Sequence, residues 1–308
     1  MSMRDRRKKN KRAIILLAAG HPMYGNWAYN LAISIHINAP KMPIILITDN
    51  DKRGISEIND LSEFYSIVNV YADDCKDIVG MPDFIRAKTI LYDVSKSYEE
   101  FDQFLFLDAD TLILPGHYVS EFFDKCTGKF AISCNGSGLL DEQKEYNTHW
   151  LKSSNVLKSY REFTNMRMYN VSSEVMVWKI CDEMEEYWEA VKQFYDEPGV
   201  KFTKFGFGTP DEMAHTLALM KCNMTLDTDS WQPMFWEKAM RKIPNMTTVM
   251  NYIGFSCGGS QNKPDTMRFY NNTMQTYMNQ RGIKHWWSMR NKRDFLPERT
   301  NDVWLEQE

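Results

Sequence analysis

The sequence lacks the features that define several large classes of protein. Its six cysteines are scattered and show no Cys-x-x-Cys spacing, which speaks against a zinc site or a disulfide framework and favours reduced thiols. No segment approaches the roughly 18 consecutive apolar residues that span a membrane. The apolar segment 13–19 is too short for a signal peptide, so we expect a cytoplasmic protein.

An excess of positive charge and two common nucleotide-binding motifs are also missing. The net charge of −4 gives no overall attraction to nucleic acid or to anionic lipid. No Gly-x-Gly-x-x-Gly sequence follows the first predicted strand, and there is no Walker A sequence, which disfavours a plain NAD enzyme or a P-loop kinase. With 308 residues, of which 43% are hydrophobic and 25% charged, the chain is typical of a globular protein that buries a sizeable core.

A run of large apolar residues ends abruptly at two carboxylates. Residues 104–107 read Phe-Leu-Phe-Leu, and Asp108-Ala109-Asp110 follows them directly. Such a run predicts a strand buried on both faces, and ligands gather at the carboxyl ends of strands in open α/β sheets. Because Mg²⁺ sites commonly use one or two carboxylates together with substrate phosphates, the acidic pair predicts a metal–phosphate site. The alternative is a turn that closes the strand, since Asp is frequent in turns.

Strand and helix patterns alternate up to this acidic pair. Predicted strands cover 12–20, 41–50, 66–71 and 104–108, and predicted helices cover 24–36 and 81–98. The alternation predicts an α/β fold with a mainly parallel sheet and helices on both faces. Strands that end in Ala18-Ala19-Gly20, Thr48-Asp49 and the acidic pair would bring small and polar residues to one edge of the sheet.

The pattern changes after residue 115. We expect a strand at 129–134, a flexible loop at 135–138, a polar lid or acceptor-binding insertion at 139–165, a kinked strand at 168–178, a helix at 181–194 and a late strand at 247–253. Another helix begins near residue 211, where Thr209 is a predicted N-cap and Pro210 suits the first helical position. Asp211 and Glu212 favour the positive end of the helix dipole, and the alternative is that one of them faces a substrate.

Both ends of the chain carry basic clusters. Residues 4–12 form a basic arm, and residues 281–293 combine Arg and Lys with one His and two Trp. Solvated termini are the simpler interpretation, and docking to an anionic polymer or a membrane surface is the alternative. We predict a basic arm at 1–11, a single catalytic domain at 12–265 and a helical, basic extension at 266–308.

In their order and spacing, these pieces resemble the GT-A fold glycosyltransferases of the glycogenin and lipopolysaccharide galactosyltransferase type. The resemblance covers roughly residues 12–265. The matching pieces are the first strand with Tyr24 and Asn30 in the helix after it, Thr48-Asp49, Arg86 and Lys88 before the acidic pair, the Asn-x-Ser-like strand 170–178, the Pro-Asp-Glu helix start at 210–212 and the Gly-x-x-Lys-Pro-like segment that contains Lys263. Each piece alone is weak evidence for this family, whereas their combination in this order is specific.

The resemblance implies a metal-dependent enzyme that moves a sugar from a nucleoside-diphosphate sugar, with a UDP-sugar favoured, to a hydroxyl group of a glycan, glycolipid or protein. Asp108 and Asp110 would hold Mn²⁺ or Mg²⁺ on the diphosphate. The residues that the resemblance assigns to donor binding are Ala18, Gly20, Tyr24, Asp49, Arg86, Lys88, Asp108, Ala109, Ser172, Ser173 and Lys263. Asp211 and Glu212 are the implied catalytic carboxylates, one of which would act as a general base if the reaction inverts the sugar linkage.

Two positions depart from the family pattern. Asn251 stands where the family carries a histidine that binds the metal. Its carboxamide oxygen can ligate Mn²⁺ or Mg²⁺ more weakly, and His285 is another candidate ligand. Glu174 replaces an expected glycine, which bears on the shape of the sugar pocket.

Three other functions stay open at this stage. Glycosyl transfer to modified DNA bases is suggested by the basic clusters and their tryptophans, although the acidic net charge opposes it. A sugar nucleotidyltransferase usually carries a glycine-rich loop after the first strand, and residues 18–22 offer only a fragment of one. A binding module without chemistry would not need both Asp108 and Asp110.

Overall fold

A computed structural model describes residues 11–19, 22–49, 58, 60–70, 85–141, 143–203, 209–226, 234–236, 254–256, 264–284 and 286–289. The strands are β1 (Arg12–Ala18), β2 (Ile44–Asp49), β3 (Ser66–Val70), β4 (Gln103–Asp108), β5 (Thr111–Ile113), β6 (Phe130–Leu139), β7 (Arg167–Lys179), β8 (Met234–Trp236) and β9 (Gly254–Ser256). The α-helices are α1 (Pro22–Asn38), α2 (Leu91–Lys96), α3 (Ser120–Lys125), α4 (Ser153–Ser159), α5 (Asp182–Asp196), α6 (Asp211–Lys221) and α7 (Pro264–Arg281), with 3₁₀ helices at Arg86–Ile90 and Arg161–Phe163.

Six strands form the central sheet in the order β3-β2-β1-β4-β7-β6. The first four are parallel, whereas β7 runs antiparallel to both β4 and β6. The chain moves outward from β1 to β2 and β3 and then returns to place β4 on the other side of β1. Such a reversal opens a crevice at the carboxyl ends of the two strands. The fold therefore places the ends of β1 and β4, including Asp108, where ligands bind in open α/β sheets.

The two faces of the sheet are covered by different helices. In β4, Phe106 faces the core formed with α5 and α6, whereas Leu105 and Leu107 face the core formed with α1, α3 and α7. Because both faces are buried, β4 reads as an unbroken apolar run and not as an alternating one. Among the described residues, no helix has the length and apolar character needed to cross a bilayer.

Three local expectations are wrong. The described part of the predicted helix 81–98 begins as the 3₁₀ helix Arg86–Ile90 and becomes α-helical only at Leu91. Within the 3₁₀ helix, Arg86 pairs with Asp196 and Lys88 with Asp108, tertiary contacts that local propensity does not include. Residues 135–138 are not a loop, because β6 continues through them and pairs with β7. Pro210, not Thr209, is the N-cap of α6, without a side-chain capping bond. The expected strand 247–253 lies outside the described residues.

The polar segment 139–165 packs against the core in its described part. Leu151, Val156 and Phe163 are buried, and Tyr146 lies so close to Gly138 that a Cβ atom there would come within 2.4 Å of its ring. Since only glycine leaves room for this ring, Gly138 determines how the insertion joins the edge of the sheet.

The C-terminal helix α7 joins the same core as α1. Tyr270, Met274 and Tyr277 are buried, the Asn30 side-chain amide donates to the Tyr270 hydroxyl (3.0 Å), and the Tyr277 hydroxyl donates to the Ile113 carbonyl (2.7 Å). Helix α7 thus contacts the strand that follows the acidic pair.

Candidate active site

Lys88 lies at the centre of the candidate site. Its ammonium group contacts both oxygens of Asp108 (3.0 and 3.2 Å), Oδ2 of Asp211 (3.3 Å) and the hydroxyl of Ser173 (3.1 Å). The 3₁₀ helix before α2, the end of β4, β7 and the start of α6 supply these four side chains. Three residues predicted from the sequence therefore meet around the ammonium group of a fourth.

The ion pairs at Lys88 are largely withdrawn from solvent. The side chains of Lys88 and Asp211 are 13% and 7% exposed. Burial alone would lower the pKa of Lys88, but Asp108 and Asp211 raise it above its ordinary value. Burial alone would likewise raise the pKa of Asp211, and the Lys88 ammonium lowers it below the ordinary value. Lys88 is therefore a permanent cation at this edge of the sheet.

The pKa values of the other carboxyl groups of the site, in contrast to that of Asp211, are raised. Burial raises the pKa of Asp108 despite its contact with Lys88. Burial and the adjacent Asp211 raise the pKa of Glu212 well above its ordinary value. Carboxyl groups next to each other with pKa values displaced in opposite directions are typical of acid–base sites.

The acidic pair is held by contacts on the strand that follows it. Asp110 is 9% exposed and Ala109 is buried. After them, the backbone N–H of Ile113 donates to the Ser34 hydroxyl (3.2 Å), and the carbonyl of Ile113 accepts from Tyr277. Helices α1 and α7 thereby fix the chain immediately after the two carboxylates.

A bulge in β7 brings three polar side chains to the site. Ile132 pairs with Met176 and Ser133 with Ser172, so residues 173–175 have no counterpart on β6. Ser172, Ser173 and Glu174 are all buried. Such bulges redirect side chains and are frequent next to active sites.

Glu174 is the most unusual member of this bulge. Burial, followed by the nearby charges of Asp108 and Asp110, raises the pKa of Glu174 to about 8. Its Oε2 has no hydrogen-bond partner within the described part of the chain. From the sequence, Glu174 was recognised only as a departure from the expected glycine, and its burial next to the acidic pair was not predicted.

Two buried residues behind Asp211 were missed altogether. The His215 Nδ1 atom lies 2.7 Å from the Tyr187 hydroxyl, and the ring is completely buried on α6. Burial lowers the pKa of His215 to about 4, so the ring is neutral at pH 7. The i, i+4 spacing of Asp211 and His215 was the one signal in the sequence that places both on one face of the helix.

The remaining predicted residues are placed as follows. Arg86 forms a bidentate ion pair with Asp196 of α5 (2.8 Å for both contacts), which favours a structural role for it. Ala18 and Asp49 are buried at the ends of β1 and β2. Tyr24 lies edge-on to Trp27 in α1. Gly20, Asn251, Lys263 and His285 lie outside the described residues.

The donor set around the acidic pair suits a hard cation. Asp108 and Asp110 offer carboxylate oxygens, the ligand type that Mg²⁺ and Mn²⁺ prefer. Among the described residues, no three His, Cys, Asp or Glu side chains converge to hold a metal ion. Two carboxylates are sufficient when substrate phosphates complete the coordination.

No family model matches the sequence, and no curated protein matches it. The chain is similar to the apo structure of WbbM, a bifunctional glycosyltransferase, with a TM-score of 0.52 and 10% identity over 88% of this chain and 52% of that chain. It thus spans about half of the WbbM chain. It is also similar to the galactosyltransferase LgtC in complex with donor and acceptor sugar analogues, with a TM-score of 0.50 and 15% identity over 85% of this chain and 95% of that chain.

The chain has a glycosyltransferase fold. The prediction of a GT-A architecture is thereby confirmed, with its mixed, mainly parallel sheet and helices on both faces. Within this glycosyltransferase fold, the cluster of Lys88, Asp108 and Asp211 lies at the carboxyl edge of the central strands.

Proposed function

We propose that this chain is a metal-dependent glycosyltransferase that moves a sugar from a nucleoside-diphosphate sugar to a hydroxyl acceptor on a glycan, glycolipid or protein. A UDP-sugar is the favoured donor. The observation that carries the proposal is the buried Lys88, which is shared between Asp108 of the acidic pair and Asp211 in a glycosyltransferase fold.

Each polar residue has a role in this proposal. Asp108 and Asp110 hold Mn²⁺ or Mg²⁺, with Asn251 or His285 as a third ligand. The cation, when bound, stabilises the charge that develops on the leaving nucleoside diphosphate. Lys88 binds the diphosphate oxygens, Asp211 keeps its ammonium group in position, and Glu212 accepts the proton of the acceptor hydroxyl. Burial and the neighbouring Asp211 raise the pKa of Glu212, which supports that role because the ionised carboxylate becomes a stronger base.

The four cysteines within the described residues are free thiols, and this supports a proposed cytoplasmic location. Transfer to DNA bases depends on the basic arm and on the basic cluster 281–293. Residues 1–10 of the arm lie outside the described residues, and Arg281 of the cluster pairs with Glu63. No observation at the site favours that alternative.

A thermal-shift screen tests the proposal. Nucleoside diphosphates and nucleotide sugars are added with and without Mn²⁺, since a ligand at 100 times its Kd stabilises the native state by about 2.7 kcal/mol. We expect UDP and a UDP-sugar to stabilise the protein only when Mn²⁺ is present, and this shift to disappear in the variant Asp110→Asn.

The matched control is Asp124→Asn, which removes an exposed carboxylate paired with Arg12 at the start of β1. This variant should keep the full Mn²⁺-dependent shift. Equal shifts in wild-type protein and Asp110→Asn, or no response to any nucleotide, would refute the proposal.

A further inference from the structure

Glu174 carries a buried oxygen atom that has no hydrogen-bond partner among the described residues. The residue is 6% exposed, and Oε2 has no hydrogen-bond partner in the part of the chain that the structure describes. Buried side-chain oxygens nearly always have a partner, so an exception calls for an explanation. The bulge of β7 holds the residue in this position, since residues 173–175 have no counterpart on β6.

The register of the sheet places Glu174 beside the acidic pair. The pairing of β4 with β7 ends at Leu107 and Val175, and Asp108 and Glu174 are the next residues of these two strands. The charges of Asp108, Asp110 and Lys88 all act on the Glu174 carboxyl group, which therefore lies beside the cluster of Lys88, Asp108 and Asp211.

The surrounding charge restricts what can bind Oε2. A phosphate group is disfavoured, because it would meet a carboxyl group next to two further acidic side chains. A role as third metal ligand is also disfavoured, since no three acidic or His/Cys side chains of the described residues converge on one point. The Ser172 hydroxyl lies within hydrogen-bond reach of the Glu174 carboxyl group, but Oε2 is left without a partner among the described residues. A neutral hydrogen-bond donor suits this atom, and a sugar offers several hydroxyl groups of this kind.

We propose that Glu174 accepts a hydrogen bond from one hydroxyl group of the donor sugar and thereby selects a donor in which that hydroxyl is free. The inference rests on the proposed function, since it needs a nucleotide sugar at the acidic pair. A donor that is deoxygenated at this position leaves Oε2 unpaired, and an acylated one also has to displace the side chain. Loss of a hydrogen bond to a charged or buried polar group lowers affinity by about 10- to 100-fold.

Calorimetry on the full chain with Mn²⁺ tests the inference. The probes are UDP, UDP-glucose, UDP-galactose and the 2-, 3-, 4- and 6-deoxy analogues of the hexose that binds more tightly. For wild-type protein we expect one deoxy analogue to bind about 10- to 100-fold more weakly than its parent. In Glu174→Ala this difference should vanish, while the affinity for UDP stays within about twofold.

Two further variants separate the outcomes. Glu174→Gln keeps the length of the side chain and one acceptor oxygen, so it should retain part of the discrimination. Glu162→Ala, an exposed position in the 3₁₀ helix Arg161–Phe163, should behave like wild-type protein.

The inference is wrong if wild-type protein binds all deoxy analogues equally, a result that needs no variant. It is also wrong if Glu174→Ala keeps the discrimination, or if its affinity for UDP falls as much as its affinity for the UDP-hexose. In each of these cases Mn²⁺-dependent binding of UDP still supports the proposed function. If wild-type protein binds neither UDP nor a UDP-hexose, both proposals fail together.

Discussion

Replacement of Lys88 by Met tests whether the centre of the site depends on one buried cation. The substitution keeps an unbranched apolar side chain and removes the ammonium group, which contacts Asp108 at 3.0 Å and Asp211 at 3.3 Å and lies 5.5 Å from the centre of the Phe106 ring. Two carboxylates would then be left without their counter-ion, and Glu212 directly follows one of them, Asp211, in the sequence.

The magnitude follows from these distances. At an effective dielectric constant of about 20, each contact corresponds to an attraction of about 5 kcal/mol. Most of that attraction offsets the cost of removing three charged groups from water. Breaking a buried pair from one side typically costs about 3–5 kcal/mol, and we expect the free energy of unfolding of Lys88→Met to fall by this amount at pH 7. Without the cation the folded-state pKa of Asp211 rises, so protonation relieves the loss and the deficit should shrink as the pH falls toward 4.

Urea unfolding followed by tryptophan fluorescence measures this difference. The control is Lys96→Met, which removes a lysine of α2 that is paired with Glu185 (2.6 Å) but is about one-third exposed. Exposed pairs of this kind contribute less than about 1 kcal/mol. If Lys88→Met loses no more than Lys96→Met, or if its deficit does not depend on pH, the account of the site as a buried charge cluster is refuted.

Three further predictions concern the surroundings of the site. In the folded protein the pKa of His215 is about 4, below its value in the unfolded chain. The unfolded state therefore binds more protons between these two pKa values, and stability falls as the pH drops. In urea unfolding, wild-type protein should lose about 2 kcal/mol more than His215→Gln between pH 7 and pH 5, and equal losses would contradict this. Gly138→Ala should destabilise the protein by about 1–3 kcal/mol through its clash with Tyr146, measured by thermal unfolding. The matched substitution Gly128→Ala, where a Cβ meets nothing within 4 Å, should have little effect; similar effects at both positions would contradict the clash. Tyr277→Phe removes a buried hydrogen bond to the strand after the acidic pair and should lower the free energy of unfolding by about 1–2 kcal/mol, measured by urea unfolding. An unchanged midpoint would indicate that α7 does not support that strand.

The central sheet could be predicted because its strands carry a strong local signal. The apolar run before Asp108 and the similar run in β2 are long, continuous and bounded by polar residues, which is the pattern of strands buried on both faces. The small and polar residues at their ends also predicted the edge at which the candidate site lies. For these elements local pattern and tertiary position agree.

The partners within the site could not be predicted in the same way. Arg86 and Lys88 are two basic residues in one short segment, and the sequence gives no reason why one binds Asp196 while the other lies between Asp108 and Asp211. That choice depends on the 3₁₀ geometry and on strands far away in the chain. The burial of Glu174 likewise depends on a bulge that exists only once β6 and β7 have paired.

The contact between α1 and α7 has a consequence for synthesis on the ribosome. Asn30 and Tyr270 are separated by 240 positions, so one face of the parallel sheet is covered only by α1 and α3 until α7 has emerged. At about 5–20 residues per second, this interval is roughly 10–50 seconds. During that time Leu105 and Leu107 lack the part of their cover that α7 supplies. The strand after Asp108 and Asp110 likewise gains its contact with Tyr277 only once α7 has been made, long after the two carboxylates.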